Sequence, residues 1–167
     1  MTVDASKSAF ITNVVATPRV MNNPHLRGKL VEAIGYNGTV TAAAEAASKY
    51  FFFRVPSKAR MSELLLTAAD FTTAGAIDIG LWQTAENGGA VVDRDYFASA
   101  LAMTGGPFAR VNQMLESAVN TVANSEQPIW QILGLSADPG VEYDVVAYVT
   151  TAFDGGQPMQ LIGRWVE

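Results

Sequence analysis

The amino-acid sequence predicts an all-β protein, an antiparallel β-sandwich with one short helix and an extended N-terminal arm. Three observations lead there. Runs of apolar, β-branched and aromatic residues of strand length recur between Gly, Pro and Asn clusters. In Ala76 to Thr84, Ile77, Ile79 and Leu81 alternate with Asp78, Gly80 and Trp82, a period of two that puts the first three on one face. No alternation of strand and helix patterns is present, which argues against a parallel α/β sheet.

Residues 1–28 read as an arm. Thr17-Pro18-Arg19 and Asn22-Asn23-Pro24 place two prolines close together, and each disfavours helix at the preceding residue. Yet Phe10, Ile11, Val14, Val15, Val20 and Met21 make the arm apolar, unlike a disordered tail, so it is expected to lie on its own domain or on a neighbouring subunit. The sandwich domain then covers residues 29–167. Leu30 to Ile34 is a first strand, ended by Gly35 and Asn37-Gly38. Ala42 to Ala47 favours helix locally but is short and has no apolar stripe, so it reads as a loop or a single turn. Tyr50 to Val55 is a strand by its aromatic content, and Pro56 to Ala59 a turn. Strands follow at Arg60 to Ala68, at Ala76 to Thr84 and, after the Glu86 to Gly89 turn, at Tyr96 to Met103.

Thr104 to Pro107 breaks the chain. Arg110 to Val122 fits helical spacing through Val111, Met114, Leu115, Ala118, Val119 and Val122, but context favours a strand plus a loop. Ser125 to Leu133 is the clearest helix. Ser125 can cap it, Glu126 and Pro128 suit the first turn, and Gly134 can end it. After Asp138-Pro139-Gly140, strands Tyr143 to Phe153 and Met159 to Val166 are joined through Asp154-Gly155-Gly156 as a hairpin. Roughly eight strands with short turns fit two packed antiparallel sheets, in a jelly-roll or similar sandwich.

The 167 residues include no cysteine, and only 16% are charged, against roughly 25% in an average soluble chain. A thinly charged surface is expected to be covered in part by a partner. The formal net charge of -5 argues against a nucleic-acid binder, which needs a basic stripe. The longest apolar runs are too short to span a bilayer, and Met1 to Phe10 lacks a basic start leading into an apolar stretch. The expectation is a soluble protein made in the cytoplasm, with no nucleic acid and no membrane among its partners.

The residues offer little chemistry. His25 is the single histidine and stands in the arm, a poor place for the held imidazole of a catalytic triad. One histidine and no cysteine exclude an ordinary zinc site. Asp93 and Asp95 suggest calcium, but two carboxylates are too few, and they are better read as fixing a turn. Glu63, Asp78, Asp93, Asp95, Glu142 and Asp144 could pair for glycoside hydrolysis, but the plainer reading is a solvated face. Gly88-Gly89, Gly105-Gly106 and Gly155-Gly156 lack the ending of a phosphate loop and suit turns with positive φ. Trp82, Trp130 and Trp165, with Tyr36, Tyr50 and Tyr148, could form a sugar-stacking platform, although core or contact roles are commoner. No catalytic residue, cofactor or metal is predicted.

Several segments, taken in order, carry a resemblance. They are Ala16 to Val20, Arg54 to Arg60, Asp78 to Trp82, Gly89 to Asp93, Tyr96 to Ala100, Trp130 to Gly140 and Tyr143 to Val145. In their combination the chain resembles a group of tailed-phage virion structural proteins encoded near the major capsid protein. The resemblance implies a jelly-roll-like decoration (cement) protein on the outer capsid surface of the virion. It implies the major capsid protein and the chain itself, as a homotrimer, as partners. Phe10, Ile11, Val14, Val15, Pro18, Arg19, Val20 and Met21 are then the candidate contacts outside the domain. A neck, tail or head-fibre component and a carbohydrate-binding sandwich module are the alternatives.

Overall fold

The structure, a computed structural model, describes residues 17–18, 29–37, 44, 46–71, 75–153 and 157–167. Eight strands are formed among them: β1 (Leu30–Asn37), β2 (Lys49–Pro56), β3 (Arg60–Ala68), β4 (Ala76–Gln83), β5 (Val91–Ala102), β6 (Phe108–Asn112), β7 (Glu142–Thr151) and β8 (Met159–Val166). A single turn of helix, α1 (Ile129–Ile132), lies between β6 and β7. One sheet has the order β1-β8-β3-β6 and the other β2-β7-β4-β5. All pairings are antiparallel. First pairs with eighth, second with seventh, third with sixth and fourth with fifth. The fold is an all-β sandwich, and this order is compatible with a jelly roll.

Alternation along the strands builds the core. Leu64 and Leu66 of β3, Ile77, Ile79 and Leu81 of β4, Val145, Ala147 and Val149 of β7, and Leu161 of β8 are all fully buried in one cluster. Each Leu, Ile or Val among them contributes about 1.5–3 kcal/mol of burial. Tyr96 and Phe97 join them from β5, edge to face at 4.8 Å. Phe53 stacks on Trp165 across the two sheets.

The element bounds differ from expectation in several places, and β1 runs through Gly35 to Asn37 rather than ending at Ile34. β5 starts at Val91 rather than near Tyr96, because shifts in its register with β4 hide the alternation. The helix expected over Ser125 to Leu133 is only Ile129–Ile132, with Pro128 in extended conformation (ψ 156°) at its N-cap. Ser125 does not cap it; its hydroxyl donates to the Val122 carbonyl at 3.0 Å. The expected C-terminus is present. Gly134 has φ 73°, its N–H donates to Gln131 and the Leu135 N–H to Trp130, which is a Schellman closure. Gly88, Gly89 and Gly105 also take positive φ, while Gly155 and Gly156 lie outside the described residues. The strand expected to reach Phe153 ends at Thr151, and Phe153 instead bridges Ala44.

Both sheets finish at one end of the sandwich in the connections 57–59, 84–90 and 113–141. There Leu30 and Arg60 stand in register with Val166, and Pro56 with Glu142. The Glu167 N–H donates to the Lys29 carbonyl, so the last described residue meets the residue that precedes β1.

Candidate partner-binding surface

Of the arm residues expected to make contacts, Pro18 is described and is exposed. Phe10, Ile11, Val14, Val15, Arg19, Val20 and Met21, like His25, lie outside the described residues.

Five acidic side chains, Glu32, Glu63, Asp78, Glu86 and Asp144, are engaged with arginines. On the outer face of the β1 sheet, Arg164 lies between Glu32 at 2.6 Å and Glu63 at 2.7 Å. On the outer face of the β2 sheet, Arg54 lies between Asp144 at 2.9 Å and Glu86 at 3.1 Å. Asp78 is not on a solvated face: it is 2% exposed. It bonds Arg94 at 2.7 Å and accepts from the Ala100 N–H at 2.7 Å, fixing the irregular course of β5. Asp93 and Asp95 lie within β5, where the Asp93 carboxylate accepts from the Asp95 backbone N–H, as the expected bond to a nearby amide requires. Burial, then the bond to the Asp95 side chain, pushes the Asp93 carboxyl up, and Asp95 accepts from the Ser99 hydroxyl. Among the described residues no group of three or more His, Cys, Asp or Glu could hold a metal ion. No helix among them is long and apolar enough to cross a membrane.

The aromatic residues considered for sugar stacking do not share a platform. Trp165 points into the core, and Trp82 is 2% exposed beneath Tyr148, with ring centroids 6.2 Å apart. Lys49 stands 6.0 Å from the Trp82 ring and Arg94 5.2 Å from the Tyr148 ring, closing that face with cations. Tyr36 is exposed, but on β1 of the other sheet.

The connection 113–141 presents three exposed large apolar residues, Leu115, Val122 and Leu135, while Leu30, Ile34 and Tyr36 are exposed along β1. The first part of the connection is pinned to β3 and β5. The Asn112 side-chain carbonyl accepts from the Leu64 and Met114 N–H groups, and the Gln113 N–H donates to Leu64. The Ser117 hydroxyl and the Asn120 amide both donate to the Tyr96 carbonyl. A tight turn follows. The Asn124 side chain accepts from the Thr121 N–H at 2.6 Å and donates to the Val119 carbonyl at 3.0 Å. The Asn124 N–H donates to Thr121, and the Gln127 N–H to Asn124. Val122, at the apex, is 81% exposed.

Beside this turn runs a groove of about 360 Å³, which includes Met61 and Met114 with Leu115, Val166, Arg60 and Glu126 in its lining. Leu115 is 51% exposed, and Leu30, in register with Val166, extends the apolar strip at 60%. Sequence reasoning found the segment 110–122 but no role for it. The signal was the pair Asn120 and Asn124, whose amides satisfy backbone groups that no ladder pairs. The rest of the connection is anchored by α1, where Ile129 and Trp130 donate to Ala59 and Ser57. The Ser57 hydroxyl in turn donates to Asp138, and with the Gly140 N–H it holds the Asp138 carboxyl below its usual range.

No family model matches the chain, and no curated protein matches it. In fold it is similar to a chain of a solved structure, the "Cyanophage Pam1 capsid asymmetric unit", with TM-score 0.52 and 12% identity over 84% of this chain and 86% of that one. The two shares are nearly equal, so the chains are of similar length and the likeness spans both almost whole. At that identity the likeness establishes the sandwich fold.

Proposed function

We propose that this chain is a non-catalytic decoration (cement) protein of a tailed-phage capsid. It binds the outer surface of the head and bridges major capsid protein subunits. The observation that carries the reading is the near whole-length likeness in fold to a chain of a cyanophage capsid asymmetric unit. The order of segments from Ala16 to Val145 resembles virion proteins encoded near the major capsid protein and supports the same reading. So does the state of the acidic residues: Glu63, Asp78 and Asp144 are each tied to an arginine, leaving none of these three as a free acid or base.

The protein acts through the surface it covers. Binding only the assembled shell stabilises that shell by linkage, about 2.7 kcal/mol per site at a hundredfold excess over Kd. Contacts repeated on a lattice gain further through effective concentration. The chain works as a homotrimer, and the apolar stretch 10–21 of the arm contacts neighbouring subunits.

Purified protein is expected to co-sediment with expanded heads, and particles lacking it are expected to lose resistance to heat and osmotic shock. Absence of binding at micromolar protein would overturn the reading. A copy number of about a dozen per virion, the count of a ring at the neck or tail, would move the chain there instead.

A further inference from the structure

We infer that the pocket between the turn 84–90 and the loop 133–141 is a small-ligand site, and that it takes a neutral, hydroxyl-rich ring, the terminal hexose of a glycan. The inference goes beyond the decoration reading and does not depend on it.

The pocket has a volume of about 560 Å³, within the range of small-molecule sites. Gln83, at the end of β4, and Asn87, in the turn, line one side. Leu133, Leu135 and Pro139 line the other, and Val92 of β5 with Val141 and Tyr143 beside it complete the lining. Both walls are fixed in the unbound fold. The Gln83 N–H donates to Ala90 at 2.8 Å, and the Asn87 and Gly89 N–H groups both donate to Thr84. Across the pocket, the Leu135 N–H donates to Trp130 and the Gly140 N–H to the Asp138 carboxylate. A pocket held in shape loses little freedom when it is filled.

Three polar groups converge on it with no partner of their own. The side-chain amides of Gln83 and Asn87 and the hydroxyl of Tyr143 bond to nothing among the described residues. Tyr143 is 4% exposed, and a polar group so far buried costs stability unless something bonds it.

The lining contains no charged residue. Five carboxylates neighbour it in sequence, and each has its own engagement. Glu86 and Asp144 are tied to Arg54, and Asp93 to Asp95. Asp138 holds the Ser57 hydroxyl and the Gly140 N–H, and Glu142 lines a separate hollow with Lys58. An ionic ligand would lose its hydration here without meeting a counter-charge in the lining. A neutral polyol loses nothing of the kind. Each carboxamide offers a donor and an acceptor together, which is what neighbouring ring hydroxyls need, and the Tyr143 hydroxyl offers both again. Leu133, Leu135 and Val141 give an apolar wall for the C–H face of the ring. An extended peptide needs partners spaced along a strand, whereas these polar groups are side-chain tips gathered at one spot.

The test is an amide NMR titration of the full-length chain with the methyl glycosides of glucose, galactose, mannose and N-acetylglucosamine. At least one is expected to shift the amides of residues 83–92 and 133–143 with a Kd of about 1–10 mM, as suits a single ring. Tyr143→Phe and Asn87→Ala each remove a polar tip that bonds nothing in the protein. Each is expected to weaken that binding about three- to tenfold and to leave the unfolding midpoint unchanged. Inorganic phosphate is expected to shift none of these amides. Silence of both segments towards all four glycosides would overturn the inference. So would glycoside binding that neither variant weakens. Stronger binding here of phosphate or of N-acetylproline amide than of any glycoside would also overturn it, since the occupant is then an anion or a peptide. Binding to heads plays no part in this titration, so the decoration reading stands or falls separately.

Discussion

A methyl group on Gly80 would overlap the carbonyl oxygens of Asp93 and Arg94, because β5 departs from its register with β4 there and crosses close over it. Gly80→Ala is therefore expected to cost about 1–3 kcal/mol, through forced backbone movement rather than lost burial. Equilibrium urea unfolding measures this; a midpoint within error of the unaltered chain would contradict it. The same crossing explains what the sequence hid at this scale. Period two puts Asp78 and Trp82 on the outward face of β4, and both do point away from the core cluster. Their burial comes from Arg94 and Ala100 around Asp78, and from Tyr148 and Lys49 over Trp82. Those partners are remote in sequence, so no local pattern announces them.

Apolar runs of strand length bounded by turn residues were legible almost to the residue, as β3 and β8 illustrate. The connection 113–141 was not. Its apolar spacing imitates a helix, while its shape is set by Ser117, Asn120 and Asn124 bonding to backbone groups, a device with no period. Its return towards β7 depends on the clasp between Ser57 and Asp138. The Asp138 carboxyl is lowered in the fold, so its contribution is fully present above the unfolded value near 3.8 and is lost as pH falls through the folded one. Asp93, whose carboxyl is raised, works in the opposite sense, so the informative quantity is a difference between variants. Below about pH 4, the unaltered chain is expected to lose its advantage in thermal midpoint over Asp138→Asn. A gap of the same size at pH 3 and pH 7 would contradict the clasp.

For the whole molecule, the number of strands followed from the sequence, but their partners did not. Pairing first with eighth and second with seventh joins segments more than a hundred or nearly a hundred residues apart, and nothing local encodes such closure. The groove was equally hidden, since Met61, Leu115 and Val166 come together only once the sheets are built.

That closure also decides where the molecule can carry cargo. Glu167 emerges beside Lys29 at the end that holds the Val122 turn, so a peptide fused there crowds that end. Thr104 and Gly105 are exposed at the opposite end, where the strands β5 and β6 leave and enter. An epitope tag inserted between them is expected to leave head binding intact and to be reached by antibody on the assembled particle. The same tag after Glu167 is expected to weaken attachment, which would make the 104–105 bend the natural place for display.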